Sequence, residues 1–231
     1  MPGLTGLAGG GPEEKGDVLQ KARRAWEESM VRQIEALRSE IRIDAPEIVS
    51  DRSAALFENA TILLPYWGQE MSIRWPALEA HLSDGAPCSV FDTAMLLYYL
   101  RSSDGAMMAD RWISYRELPG GSFYNQAFQG YSGDRIADAF RDDLPRFHSA
   151  ARSLDGWPLT AMAEHAYGFQ PLPRIRLAAV LWPGDEDFPT RASVLFDAAS
   201  KHYMTTDGLA LLGSGLASRL EKAAKMGGPS P

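Results

Sequence analysis

A single cysteine, Cys88, stands in 231 residues. That scarcity excludes an internal disulfide, a four-thiolate zinc site and an iron–sulfur cluster held by this chain alone. No apolar run approaches the ~20 residues of a membrane span, and the most hydrophobic window, Phe91 to Leu100, is about half that length. A basic surplus is missing as well: Lys and Arg total 23 against 30 Asp and Glu, for a net charge of −7 and a pI near 5.2. This balance argues against a nucleic-acid backbone or an anionic bilayer as the main partner. The start of the chain lacks the basic segment of a secretory or transit signal, so a cytoplasmic protein is expected. The four histidines, His81, His148, His165 and His202, show no compact ligand spacing such as HExxH, so no metal is expected. Neither GxxxxGK[ST] nor GxGxxG occurs, and there is no strong internal repeat.

What is present suits a folded core. The chain is 45% hydrophobic, 23% charged and 10% aromatic, and at this length it should bury roughly 70 to 75% of its unfolded surface without a staple. Residues 1–16 and 226–231 are glycine- and proline-biased and are expected to be disordered tails flanking a single domain, 17–225. Between residues 17 and 43, Leu19, Ala22, Trp26, Met30, Ile34, Leu37 and Ile41 recur at helical spacing, which predicts a long amphipathic helix with a mixed-charge outer face. Pro46 suits the first turn of a short second helix.

The period then changes. Ile62 and Leu64 alternate before Pro65, and Met71, Ile73 and Trp75 alternate after Gly68, which predicts a hairpin over 60–75. Ser89 and Asp92 open a nearly all-apolar segment, predicted to be a central buried helix. Trp112 to Glu117 reads as a strand, followed by a sharp Leu118-Pro119-Gly120-Gly121 turn. Helices are predicted through Phe123–Phe128, Ile136–Phe140 and Leu144–Leu154. Pro171 and Pro173 block a helix ahead of a second hairpin, 174–197, which turns at Pro183-Gly184-Asp185. A last amphipathic helix starts near Thr206 and runs through Leu209, Leu212, Leu216 and Leu220. The expected fold class is α+β, with both hairpins joining one antiparallel sheet packed against several helices.

Three blocks carry a family resemblance: WISYRELPGGSFY at Trp112 to Tyr124, LPRIRLAAVLWPGDEDFP at Leu172 to Pro189, and SVLFDAASKHYMTTDGLALLG at Ser193 to Gly213. Together they resemble the uncharacterised family called domain of unknown function 3786 (DUF3786), found in bacteria and archaea, with the resemblance spanning about 47–220. Some members of that family carry an appended cysteine-rich iron–sulfur module and resemble components of corrinoid-dependent C1 metabolism. The resemblance therefore implies an accessory role near that chemistry, while this chain lacks the module's cysteines.

The residues themselves nominate a ligand site. In Arg116-Glu117-Leu118-Pro119-Gly120-Gly121-Ser122, two glycines let backbone amides approach a ligand and a helix start follows, which favours an anion that Arg116 could clamp. The alternative is a tight turn beside a buried ion pair. Tyr124, Trp182 and His202 complete the candidate set, with His202 the most interesting histidine because it follows the SVLFD strand. The aromatics Trp112, Tyr115, Phe123, Tyr124, Phe128 and Tyr131 either line a pocket for a flat ligand such as a tetrapyrrole or pack a core. Asp185, Glu186 and Asp187 form either an acidic hairpin tip or a hard-cation site. The functional expectation is a non-catalytic binding or accessory protein. An enzyme using Arg116, Glu117 and His202 on a small anionic substrate is the alternative, and docking of a protein partner on the N-terminal helix is a third possibility.

Overall fold

The computed structural model describes residues 28–226. The glycine-rich ends at 1–16 and 227–231, and the 17–27 stretch of the predicted first helix, lie outside these residues. Helix α1 covers 28–41. Met30, Ile34, Leu37 and Ile41 on its apolar face are all buried in the core, as their spacing of four, three and four requires. Its polar side is tied down too: Arg38 Nε donates to the Leu78 carbonyl at 3.3 Å, and Glu40 pairs with Arg101 at 2.6 Å. Helix α2, Pro46–Ser53, starts with its proline in the first turn.

The first sheet is a meander of four antiparallel strands, β1 (Leu56–Glu58), β2 (Thr61–Tyr66), β3 (Gln69–Arg74) and β4 (Glu79–Leu82), in the order β1-β2-β3-β4. Ile62, Leu64, Tyr66, Met71 and Ile73 share its buried face. Pro65 is tolerated because β1 pairs only with Thr61 to Leu63, leaving the β2 edge open at the proline, where no amide donor is needed. Helix α3, Val90–Ser102, begins at Ser89, whose hydroxyl accepts from the Asp92 amide at 3.0 Å. Seven of its residues are buried, from Thr93 to Leu100, so the helix that looked apolar on every side is packed on every side.

The second sheet has five antiparallel strands: β5 (Trp112–Ser114), β6 (Trp157–Pro158), β7 (Ala166–Leu172), β8 (Ile175–Trp182) and β9 (Arg191–Asp197), ordered β5-β9-β8-β7-β6. Helices α4 (Gly121–Tyr131), α5 (Gly133–Phe140), α6 (Leu144–Ser153) and α7 (Thr206–Met226) accompany it. The α+β class stands, but the two hairpins do not share one sheet. Each recruits its own neighbours: β1, β4 and β6, of two to four residues, are too short to display a strand period, and β5 is the start of the strand expected at Trp112. β7 was hidden by Pro171, which the strand absorbs through a register shift between Phe169 and Leu172. The sheets meet where the Trp67 amide donates to the Pro171 carbonyl at 2.9 Å.

The predicted strand at Trp112–Glu117 is cut short at Ser114. Glu117 turns back to accept from both the Ser114 amide, at 2.8 Å, and its hydroxyl, at 2.7 Å, which winds Tyr115–Glu117 into a single 3₁₀ turn. α7 continues through Met226 with Leu209, Leu212, Leu216 and Leu220 buried. No helix among the described residues is long and apolar enough to cross a membrane.

Candidate functional site

The structure brings all three sequence blocks together, because β9 lies between β5 and β8 in the second sheet. β5 pairs with β9, matching Trp112 to Asp197 and Ser114 to Leu195, and Thr206 Oγ1 donates to the Pro119 carbonyl at 2.7 Å. What they enclose is core. Tyr115 stacks on Phe128 with ring centroids 4.2 Å apart, and Phe196 closes against both. Burial, followed by the nearby Tyr131, Asp207 and Tyr124, pushes the Tyr115 hydroxyl up to about 12. Helix geometry splits the remaining aromatics: Phe128 faces inward, while Phe123 and Tyr124 are 90% and 62% exposed.

Arg116 is exposed, and its guanidinium makes no hydrogen bond or ion pair among the described residues. Glu117 is also exposed, and the Ser114 amide and then the Ser114 hydroxyl hold its carboxyl below the usual glutamate range. Gly120 takes a left-handed conformation, φ 72°, facing open space, whereas Gly121 is buried against the Tyr115 carbonyl. The Ser122 hydroxyl donates to the Arg116 carbonyl at 3.1 Å. His202 pairs through Nδ1 with Asp104 at 2.7 Å, and no hydrogen bond or ion pair among the described residues links it to Arg116 or Glu117. Trp182 lies at the end of β8, bordering a separate cleft of about 420 Å³ with Gln129, Asp134 and Arg191. Arg116→Ala is accordingly expected to change unfolding free energy by less than about 0.5 kcal/mol. A loss of several kcal/mol in urea unfolding would reveal a buried carboxylate partner that the geometry does not contain.

A different cleft unites an aromatic surface with a sheltered cation. It is about 270 Å³ and is lined by Trp67, Trp157, Phe169, Asp155, Gln170 and Arg219, among others. Three parts of the fold build it: the β2–β3 turn, the segment from α6 to β7, and the middle of α7. The Arg219 guanidinium carbon sits 4.2 Å from the centroid of the Trp67 ring, a cation–π contact. Among the described residues the guanidinium makes one hydrogen bond, a long one of 3.5 Å to the Gly215 carbonyl, and no ion pair with a carboxylate. Burial lowers the Arg219 pKa, with Tyr66 and Asp92 acting against the shift, and the group remains a cation at neutral pH.

The backbone at this cleft is strained. Trp67 and Gly68 form the two-residue turn between β2 and β3, with φ of 50° and 76°. A turn with two positive φ values favours Asn-Gly or Gly-Gly, and a tryptophan at its first position costs about 1 to 2 kcal/mol of backbone strain. Asp155, on the opposite wall, is also left-handed at φ 57°. Strained residues of this kind gather at ligand sites when the surroundings hold them. A second cleft, about 490 Å³, adjoins the first, sharing Ser153, Leu154 and Arg219 and adding Lys222.

Sequence reasoning placed the Gly68 turn correctly but assigned no role to Trp67, Trp157 or Arg219, which are separated by up to 152 positions (219 − 67). The available signal was local: a tryptophan in a slot that favours asparagine. Elsewhere, the acidic tip folds on itself, Asp185 Oδ1 accepting from the Asp187 and Phe188 amides at 2.9 and 2.8 Å. No group of three or more His, Cys, Asp or Glu side chains among the described residues is placed to hold a metal ion.

In comparison with known proteins, residues 45–219 fit the family model described as Domain of unknown function (DUF3786). No curated protein and no solved structure matches the chain.

Proposed function

The chain belongs to the DUF3786 family, and from that premise we propose that it is a non-catalytic binding protein that holds a small planar anion in the Trp67–Arg219 cleft. The observation that carries this reading is the pairing of a half-buried guanidinium, almost without hydrogen-bond partners, with a tryptophan held in a strained turn. A guanidinium in such a place has lost part of its hydration and recovers it through a bidentate carboxylate or phosphate. At about 270 Å³ the cleft lies just under the range that encloses drug-sized ligands. It grips one ring and leaves the rest of a larger ligand in the adjoining cleft or in solvent.

The link to corrinoid and C1 metabolism is supported by the family resemblance. In this protein it would take the form of one edge of a tetrapyrrole resting on Trp67, with an acidic substituent at Arg219. A cytoplasmic setting accords with an unpaired Cys88.

The test uses the full chain with benzoate, indole-3-carboxylate and a porphyrin carboxylate as probes, read by tryptophan fluorescence and thermal shift. At least one probe should quench fluorescence and raise the melting temperature. Arg219→Gln should weaken that binding about tenfold or more, equivalent to about 1.4 kcal/mol, while Trp182→Ala leaves it unchanged. Equal affinity in wild type and a folded Arg219→Gln, or binding that follows Trp182, would overturn the assignment.

A further inference from the structure

We propose that His148 and His165 form a seat for one divalent transition-metal ion of borderline softness, bound through two imidazole nitrogens and completed by solvent. The two residues are 17 positions apart, on α6 and in the loop that enters β7, and the fold sets His165 Nδ1 3.2 Å from His148 Nε2. Two imidazoles on one tetrahedral ion, each at ~2.0–2.1 Å, have their nitrogens roughly 3.3–3.4 Å apart. The observed pair is thus within about 0.2 Å of that bite. The ring planes cross at 64° with centroids 5.2 Å apart, so the rings meet edge to face and do not stack.

The rest of the arrangement is that of an oriented ligand. His148 Nδ1 lies 3.0 Å from the Tyr167 hydroxyl, and Tyr167 is itself buried in β7 at 4% exposure. A metal-binding histidine characteristically uses its second nitrogen in this way, donating its N–H to a fixed oxygen so that the other nitrogen faces the ion as a bare lone pair. In the absence of metal the same two nitrogens share a proton in an N–H···N bond, which keeps the pair assembled. His148 and His165 are both half-buried, leaving one side open for water. Besides His165 itself, the charged groups that face His148 are Arg152 and Glu164, one of each sign.

With only two protein ligands, affinity rests on intrinsic preference for imidazole. That preference makes Cu²⁺ the tightest of the first-row divalent ions and the most sensitive probe. The full chain is titrated with Cu²⁺ and followed by electron paramagnetic resonance. The expected result is one saturable ion per chain with hyperfine structure from two nitrogens. His148→Ala and His165→Ala should each weaken binding about tenfold or more and remove one nitrogen from the spectrum, while His81→Ala and His202→Ala leave both unchanged. Because His148 is the more enclosed by its neighbours, His165→Ala carries the test if His148→Ala melts early. Absence of saturable binding, or a two-nitrogen spectrum that persists in folded His165→Ala or disappears in His202→Ala, would overturn the proposal. This outcome is independent of the Trp67–Arg219 cleft, whose probes contain no metal.

Discussion

Gly121→Ala is expected to lower the unfolding free energy by about 3 kcal/mol, the upper end of what overpacking usually costs. The reason lies in the approach of two backbone segments. A Cβ at Gly121 would overlap the Tyr115 carbonyl oxygen and come within 3.0 Å of its carbon. These are main-chain atoms of the 3₁₀ turn Tyr115–Glu117, so no side chain can rotate away to make room. Relief requires opening the turn, which would strain both the Gly121 amide's bond to the Leu118 carbonyl, at 2.9 Å, and the Tyr115–Phe128 stack. Gly120→Ala is the internal control. It has open space around it and only its positive φ of 72° to pay for, a cost of about 1 kcal/mol. Urea unfolding with a shifted midpoint and an unchanged slope would report both values. If Gly120→Ala were the more damaging of the two, close packing would not be the reason for the second glycine.

Phe128→Ala should cost about 3 to 5 kcal/mol, the range for removing a fully buried phenyl ring. Phe128 is 0% exposed and is the hub of the aromatic core: stacked on Tyr115 at 4.2 Å, with Phe196 and Tyr131 each at 5.7 Å. Gly213 on α7 leaves room for the ring, since a Cβ there would meet Phe128 Cε2 at 2.7 Å. The ring therefore joins α4, β9 and α7 through one contact set, and its removal leaves a cavity bounded by three elements that cannot all close in. Phe128→Leu preserves most of the volume and should cost less than about 1.5 kcal/mol. The comparison is made by urea unfolding of both variants. An alanine variant that lost under about 1.5 kcal/mol would show that the site collapses freely and that the aromatic cluster is not the link between the blocks.

The local half of this fold was readable because its signals are short-range. Met30, Ile34, Leu37 and Ile41 marked the buried face of α1; Ser89 and Asp92 marked the start of α3; Pro46 marked α2; and the alternation of Ile62, Leu64, Met71 and Ile73 marked a hairpin. The elements that were missed had no period to display. β1 is three residues long, β4 is four, β6 is two, and β7 contains a proline. Each is a strand because a longer neighbour offers it a ladder, so its identity is a property of the pairing and not of its own residues. The 3₁₀ turn at Tyr115 also depends on one side chain: Glu117 folding back on Ser114.

For the candidate site the division is sharper. Composition and charge could exclude classes of partner, and the unusual Arg116–Ser122 turn could be recognised, because those features lie in residue identities and near neighbours. Whether a residue of that turn faces solvent or core depends on how α4 rolls against β9 and α7. Arg116 was left free in solvent and Gly121 was locked against backbone by that packing. In the same way Trp67, Trp157 and Arg219 acquired a common cleft, and His148 and His165 a 3.2 Å approach, only once the chain had closed on itself. Periodicity records which face of an element is buried; it carries no information about which distant face it will meet, and chemistry between side chains begins at that meeting.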